Sequence, residues 1–138
     1  MREPRLQHDS QSPRAERPLV LLVEDDDDTR DLYIEYFKFV GVRVEGASDG
    51  VEALGKVRAL KPDIVVLDLN LPVMSGWEVA RKLKASAETR AVPILALTAH
   101  ATKGSEQAAL DAGCDRYRAK PCLPRDLVVI VREMVNAA

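Results

Sequence analysis

The sequence predicts an α/β domain in which a five-stranded parallel sheet carries helices on both faces. Two observations lead there. Short continuous apolar runs, LVLLV at Leu19 to Val23 and IVVL at Ile64 to Leu67, have the length of strands and no polar alternation, the pattern of strands buried on both faces. Segments with helical spacing separate these runs from further strand-like ones. Strand and helix alternate five times, which implies parallel strands joined by crossover helices.

The first eighteen residues hold three prolines, several polar residues and almost nothing to bury, and they read as a disordered leader, an extension or linker remnant or else a docking segment. Four arginines against three acids give this leader a charge of +1, leaving −3 on the rest. The ordered unit is expected over residues 19–136. After Val23 comes an acidic run, Glu24, Asp25, Asp26, Asp27 and Asp28. Its later members are suited to cap the helix marked by Leu32, Tyr33, Tyr36, Phe37 and Val40 and stopped by Gly41. Glu24 and Asp25 precede that helix and lack the structural reason.

Val42 to Ala47 reads as the second strand. Asp49 and Gly50 then introduce a helix with Val51, Ala53, Leu54, Val57 and Leu60 on one side, ended by Pro62. The third strand delivers Asp68 to its own tip, and Pro72 and Gly76 shape the loop beyond it. A carboxylate there stands where open parallel sheets bind ligands, although capping of the next helix is the competing explanation. Trp77, Val79, Ala80 and Leu83 mark that helix, with Trp77 expected on its core face. Val92 to Leu97 forms the fourth strand, ending at Thr98. A weakly apolar helix over Thr102 to Ala112 is closed by Gly113, and Cys114 to Ala119 forms the fifth strand, ending at Lys120 and Pro121. Leu127, Ile130, Val131 and Met134 line the last helix. Too few residues follow it for a DNA-binding or catalytic second domain, so a free-standing domain is expected.

Composition narrows the function classes. The chain has 138 residues, 46% hydrophobic and 30% charged, a globular balance large enough to bury a core without staples. A net charge of −2 gives no strong pull toward nucleic acid or anionic membrane. The longest apolar runs are strand length and no signal-peptide core is present, so no membrane contact is expected and a cytoplasmic location is the default. Cys114 and Cys122 have neither metal-cluster spacing nor disulfide density, and are expected to be reduced structural thiols.

The strand ends together offer Glu24 and Asp25, Asp68, Thr98 and Lys120. Clustered carboxylates call for a hard cation, and oxygen-only ligands suit magnesium, which keeps water positions open for phosphate oxygens. A lysine adds a compact positive charge for the same phosphate, and a threonine hydroxyl a hydrogen bond. This set suits phosphoryl transfer with a carboxylate as nucleophile.

The motifs LLVEDD, LDLNLPVMSG, LTAHA and YRAKP, in this order at strand ends, resemble the receiver domain of two-component response regulators, over about Leu19 to Val135. The resemblance implies the flavodoxin-like strand order 2-1-3-4-5. It implies that Asp68 is the phosphoryl acceptor and Asp25 a direct magnesium ligand, with Glu24 supporting the metal and the backbone carbonyl of Asn70 as a further contact. Thr98 matches the switch hydroxyl, Lys120 the lysine that pairs with the acceptor, and Tyr117 the aromatic that reorients with Thr98. A cis bond before Pro121 is common in the family. Cys122 stands where an aromatic is frequent, a smaller filler expected to loosen packing near the switch. His100, two residues beyond Thr98, reads as an exposed loop histidine.

The function so implied is self-catalysed, magnesium-dependent acceptance of a phosphoryl group from phosphohistidine, with autodephosphorylation and no separate enzymatic turnover. The donor is a sensor histidine kinase or histidine phosphotransfer protein docking near the first helix. The output is a protein target at the face made by the fourth helix, fifth strand and fifth helix. An alternative is a magnesium-dependent phosphatase that forms an aspartyl phosphate, but such enzymes place a second acid two residues after the nucleophile, where this chain has Asn70. A flavin-binding module is disfavoured because carboxylates occupy the strand tips where an anionic cofactor needs backbone donors.

Overall fold

The computed structural model describes residues 17–137. Strands and helices alternate as β1 Leu19–Val23, α1 Asp27–Phe39, β2 Arg43–Ala47, α2 Gly50–Leu60, β3 Ile64–Asp68, α3 Gly76–Ala85, β4 Ile94–Thr98, α4 Ser105–Asp111, β5 Arg116–Ala119 and α5 Pro124–Ala137. Every strand pairing is parallel, and the order across the sheet is β2-β1-β3-β4-β5. The expected leader lies outside the described residues except for Arg17 and Pro18.

Three central strands are buried along their whole length, as their unbroken apolar runs require. Successive side chains point to opposite faces, so each strand feeds two cores. Val20, Leu22, Ile64, Val66, Leu95 and Leu97 meet Tyr33 and Phe37 of α1 and Leu127 and Val131 of α5. Leu21, Val23, Val65, Leu67, Ile94 and Ala96 meet α2, α3 and Ala109 of α4, and Trp77 packs half-buried against this second core. Burying each such leucine or valine contributes about 1.5–3 kcal/mol, which makes the two cores the main source of stability.

The helix boundaries follow local chemistry. Asp26 caps α1 by accepting from the Thr29 backbone N–H, Asp27 and Asp28 fill its first turn, and Asp49 and Ser75 cap α2 and α3 in the same way. Gly41 and Gly113 adopt φ of +85° and +110° just past the ends of α1 and α4, a conformation that side chains disfavour.

Several edges differ from expectation. β4 begins at Ile94 because Pro93 has no N–H to donate, although its carbonyl still accepts from Val65 N–H at 3.0 Å. β5 begins at Arg116, two residues late, because the Cys114 N–H turns back to the Ala109 carbonyl at 3.0 Å. α4 spans only Ser105–Asp111; ahead of it the Ser105 side chain closes a turn on Thr102. α5 begins three residues before its first core residue, with Pro124 at the helix start where a missing N–H costs nothing.

Candidate functional site

The parallel register sets the strand ends level. Val23 pairs with Leu67, Asp68 with Leu97, and Thr98 with Ala119, so the residues at these tips fall within side-chain reach of one another. Glu24, Asp68 and Thr98 are 3–4% exposed, whereas Asp25 is open to solvent. Carboxylate oxygens of Glu24, Asp25 and Asp68 all lie within 4.8 Å of one another.

Lys120 reaches into this cluster from the end of β5. Its Nζ donates to Glu24 Oε1 at 2.7 Å and to Asp68 Oδ2 at 3.3 Å. One ammonium therefore serves two buried carboxylates, and the pKa directions reflect the shortfall. Burial raises the Glu24 carboxyl, with the nearby Asp68 charge adding to it, and the Lys120 hydrogen bond only partly opposes them. Burial pulls the Lys120 ammonium down, but the Glu24 hydrogen bond and the Asp68 charge outweigh it, and the net direction is up. A divalent ion fits this donor set: all three side chains offer hard oxygen, their summed charge exceeds what Lys120 supplies, and Asp25 leaves the rim open to solvent.

The loop after β3 ties the end of that strand to β4 through hydrogen bonds of Asn70. Asn70 N–H donates to Asp68 Oδ1 at 2.9 Å, and its side-chain Oδ1 accepts from the Thr98 hydroxyl at 2.8 Å and from Ala99 N–H at 3.3 Å. Gly76, at the start of α3, lies so close that an added Cβ would stand 2.4 Å from the Asp68 carbonyl oxygen. Only glycine permits that approach, and it fixes α3 against the end of β3.

Tyr117 pairs with Ala96 in the register, which places it on the same sheet face as Thr98. Its ring packs half-buried on the second core, and its hydroxyl shares a 2.5 Å hydrogen bond with the Ser105 hydroxyl at the start of α4. The Lys120–Pro121 peptide is cis. His100 is exposed, and its backbone N–H donates to the Thr98 hydroxyl oxygen at 3.0 Å.

Cys122 is buried, and the Tyr33 hydroxyl donates to its backbone carbonyl at 2.7 Å, which ties α1 to the segment after β5. Both cysteines are free thiols, and burial raises the Cys114 thiol to about 11.

Glu24, Asp25, Asp68, Asn70, Thr98 and Lys120 thus gather at the carboxyl end of the sheet, whereas Tyr117 lies mid-strand opposite Ala96 with its hydroxyl on Ser105. Arg30 is a member that the sequence reading passed over. From α1 it donates to the Glu24 carbonyl at 2.8 Å and to Asp27 Oδ1 at 2.6 Å, bracing the acidic loop. The i, i+3 spacing of Asp27 and Arg30 was the available signal. The Asn70 and Ser105 side-chain contacts had none, because they depend on how loops close between elements.

Among known proteins the chain matches the family model described as the response regulator receiver domain over residues 20–132. It is 39% identical over 117 residues to the response regulator MprA of Mycobacterium sp. strain KMS, covering 85% of this chain and 50% of that protein. The MprA of Mycobacterium leprae is likewise 39% identical. The chain therefore spans about half the length of the curated relatives it matches. Among solved structures, chemotaxis protein CheY4 of Vibrio cholerae superposes with a TM-score of 0.80 at 29% identity, covering 86% of this chain and 98% of that one. The receiver domain of sensor histidine kinase PA1611 from Pseudomonas aeruginosa, solved with magnesium coordinated in its active-site cleft, superposes with a TM-score of 0.79 at 32% identity, covering 87% and 98%. Strand order, tip chemistry and these likenesses agree, and the chain belongs to the receiver domain family of two-component response regulators.

Proposed function

We propose that this domain accepts a phosphoryl group from a phosphohistidine donor onto Asp68, in a magnesium-dependent reaction for which it supplies most of the catalytic groups. The observation that carries this reading is the buried Asp68 carboxylate held within 4.8 Å of Glu24 and Asp25 and 3.3 Å from the Lys120 ammonium. Magnesium held by Glu24, Asp25, Asp68 and the Asn70 carbonyl would offset negative charge and leave positions open for phosphoryl oxygens. The magnesium coordinated in the PA1611 receiver cleft supports that choice of ion.

The chain's own groups have distinct tasks. An Asp68 carboxylate oxygen attacks phosphorus while the phosphorus–nitrogen bond to imidazole breaks, and the bond's electron pair leaves on the imidazole nitrogen. Lys120, shared at rest between Glu24 and Asp68, turns its charge to the incoming phosphoryl oxygens. The Thr98 hydroxyl then donates to the phosphoryl group, Tyr117 follows, and the face formed by α4, β5 and α5 is remodelled. Hydrolysis of the acyl phosphate resets the domain without turnover of an external substrate.

The donor is a sensor histidine kinase or histidine phosphotransfer protein approaching beside α1, and the output is a protein bound at the α4, β5 and α5 face. No nucleic-acid or membrane contact by the domain and a cytoplasmic location complete the reading; among the described residues no helix is long and apolar enough to cross a membrane. The receiver unit is assigned to residues 19–136, with residues 1–18 as a leader outside it.

The test is intact mass after incubation with magnesium and acetyl phosphate. A magnesium-dependent gain of one phosphoryl group, absent in Asp68→Asn, is the expected result. No gain in the native chain, under conditions that label another receiver, overturns the reading.

A further inference from the structure

Thr98 has one hydroxyl proton, and the structure shows where it is spent. The residue is 3% exposed, its hydroxyl donates to Asn70 Oδ1 at 2.8 Å, and the same oxygen atom accepts from His100 N–H at 3.0 Å. The Ala99 N–H also points at Asn70 Oδ1, at 3.3 Å, which fixes the amide orientation: the NH2 group in that place would set donor against donor. Asn70 is itself anchored by its N–H to Asp68 Oδ1 at 2.9 Å. One exposed residue therefore joins the acceptor carboxylate to the buried hydroxyl on the neighbouring strand.

We propose that the Asn70 carboxamide is a positioning residue that holds the Thr98 hydroxyl in its resting place and so sets how strongly phosphorylation must act to move it. The inference rests on the acceptor reading given above. A hydroxyl cannot donate to Asn70 and to a phosphoryl oxygen at once, so switching exchanges one acceptor for the other. The resting bond competes with the activated one, and its strength is subtracted from the response. The net worth of such a hydrogen bond corresponds to roughly a two- to tenfold change in the equilibrium. Because the Asn70 side chain is exposed, truncating it leaves no core cavity.

The sign of the effect separates this role from simple support of the loop. Loss of a supporting contact weakens binding of a phosphoryl group, whereas loss of a competitor strengthens it. The probe is beryllofluoride, an acyl-phosphate mimic, titrated at saturating magnesium into the native chain, Asn70→Ala, Thr98→Val and the double variant. Asn70→Ala is expected to bind roughly two- to tenfold more tightly than the native chain, with no gain when Thr98 is already valine. In metal-free protein, the Ala99 amide is expected to exchange faster in Asn70→Ala than in the native chain. Unchanged or weaker binding in Asn70→Ala, equal strengthening in both Thr98 backgrounds, or unaltered Ala99 exchange overturns the inference alone. Failure of the native chain to bind beryllofluoride, or equal binding by Asp68→Asn, overturns the acceptor reading and this inference with it.

Discussion

Lys120 is the residue on which the resting site balances. Its ammonium lies 2.7 Å from Glu24 Oε1 and 3.3 Å from Asp68 Oδ2, and the two carboxylate side chains are only 4% and 5% exposed. Substituting Lys120→Met keeps the stem and removes the charge, leaving two buried carboxylates to repel each other. In the absence of magnesium at neutral pH the expected loss is about 3 kcal/mol, read from urea unfolding. The sign with pH follows from the direction in which Glu24 is already displaced. A carboxyl raised by burial favours the folded state below its unfolded value, near 4.5, and that contribution is lost as pH rises through the folded value. The variant's deficit should therefore shrink on acidification and widen toward neutrality. A deficit independent of pH would mean that Lys120 acts through packing alone.

At the scale of elements, α2 shows how far local rules reach. Asp49 caps it by accepting from Glu52 N–H at 2.8 Å, while Glu52 reaches back to the Ser48 N–H at 2.7 Å and pairs with Lys56 at 3.1 Å. Asp49→Ala is expected to cost about 1 kcal/mol. The Ser48 backbone hydrogen bond chiefly, with help from Lys56, holds the Glu52 carboxyl below its ordinary 4.5. A depressed carboxyl stabilises the fold above its unfolded value and loses that contribution as pH falls through the folded one. Glu52→Gln should thus be less stable than the native chain at neutral pH, and their urea midpoints should converge below 4.5. Asp49 at the start of α2 was legible in the sequence, as were the buried strands in their unbroken apolar runs, whereas the return of Glu52 to Ser48 was not. The start of β5 was not legible either: the Cys114 N–H turns back to the Ala109 carbonyl, and Asp115 meets Ile94 through both its N–H and its side chain, at 2.8 Å each, contacts that depend on neighbouring elements. Nor was the Tyr117 to Ser105 bond, which requires knowing how the turn before α4 closes.

For the whole molecule, the acidic cleft ties ligand to stability. Three carboxylates gathered at the ends of two strands, with one lysine between them, are repulsive until a cation binds, so magnesium should stabilise the fold as well as serve the chemistry. At a concentration about a hundredfold above its dissociation constant, the gain is about 2.7 kcal/mol, visible as a rise of several degrees in the melting temperature. Asp25→Asn, which removes the exposed ligand without disturbing the buried pair, should abolish most of that rise. An undiminished rise would place the ion elsewhere. The order of the sheet came with the family resemblance that the four tip motifs carry, since the motifs by themselves do not place β2.

That same order leaves β2 and β5 as the sheet's two rims, with Arg43 and Glu45 on one and Arg116 and Arg118 on the other. A foreign strand zipping onto either rim would press its backbone among charged side chains that must then give up water. Aggregation by strand addition is thereby discouraged at both borders, and other molecules are left to approach through the helices and the acidic mouth.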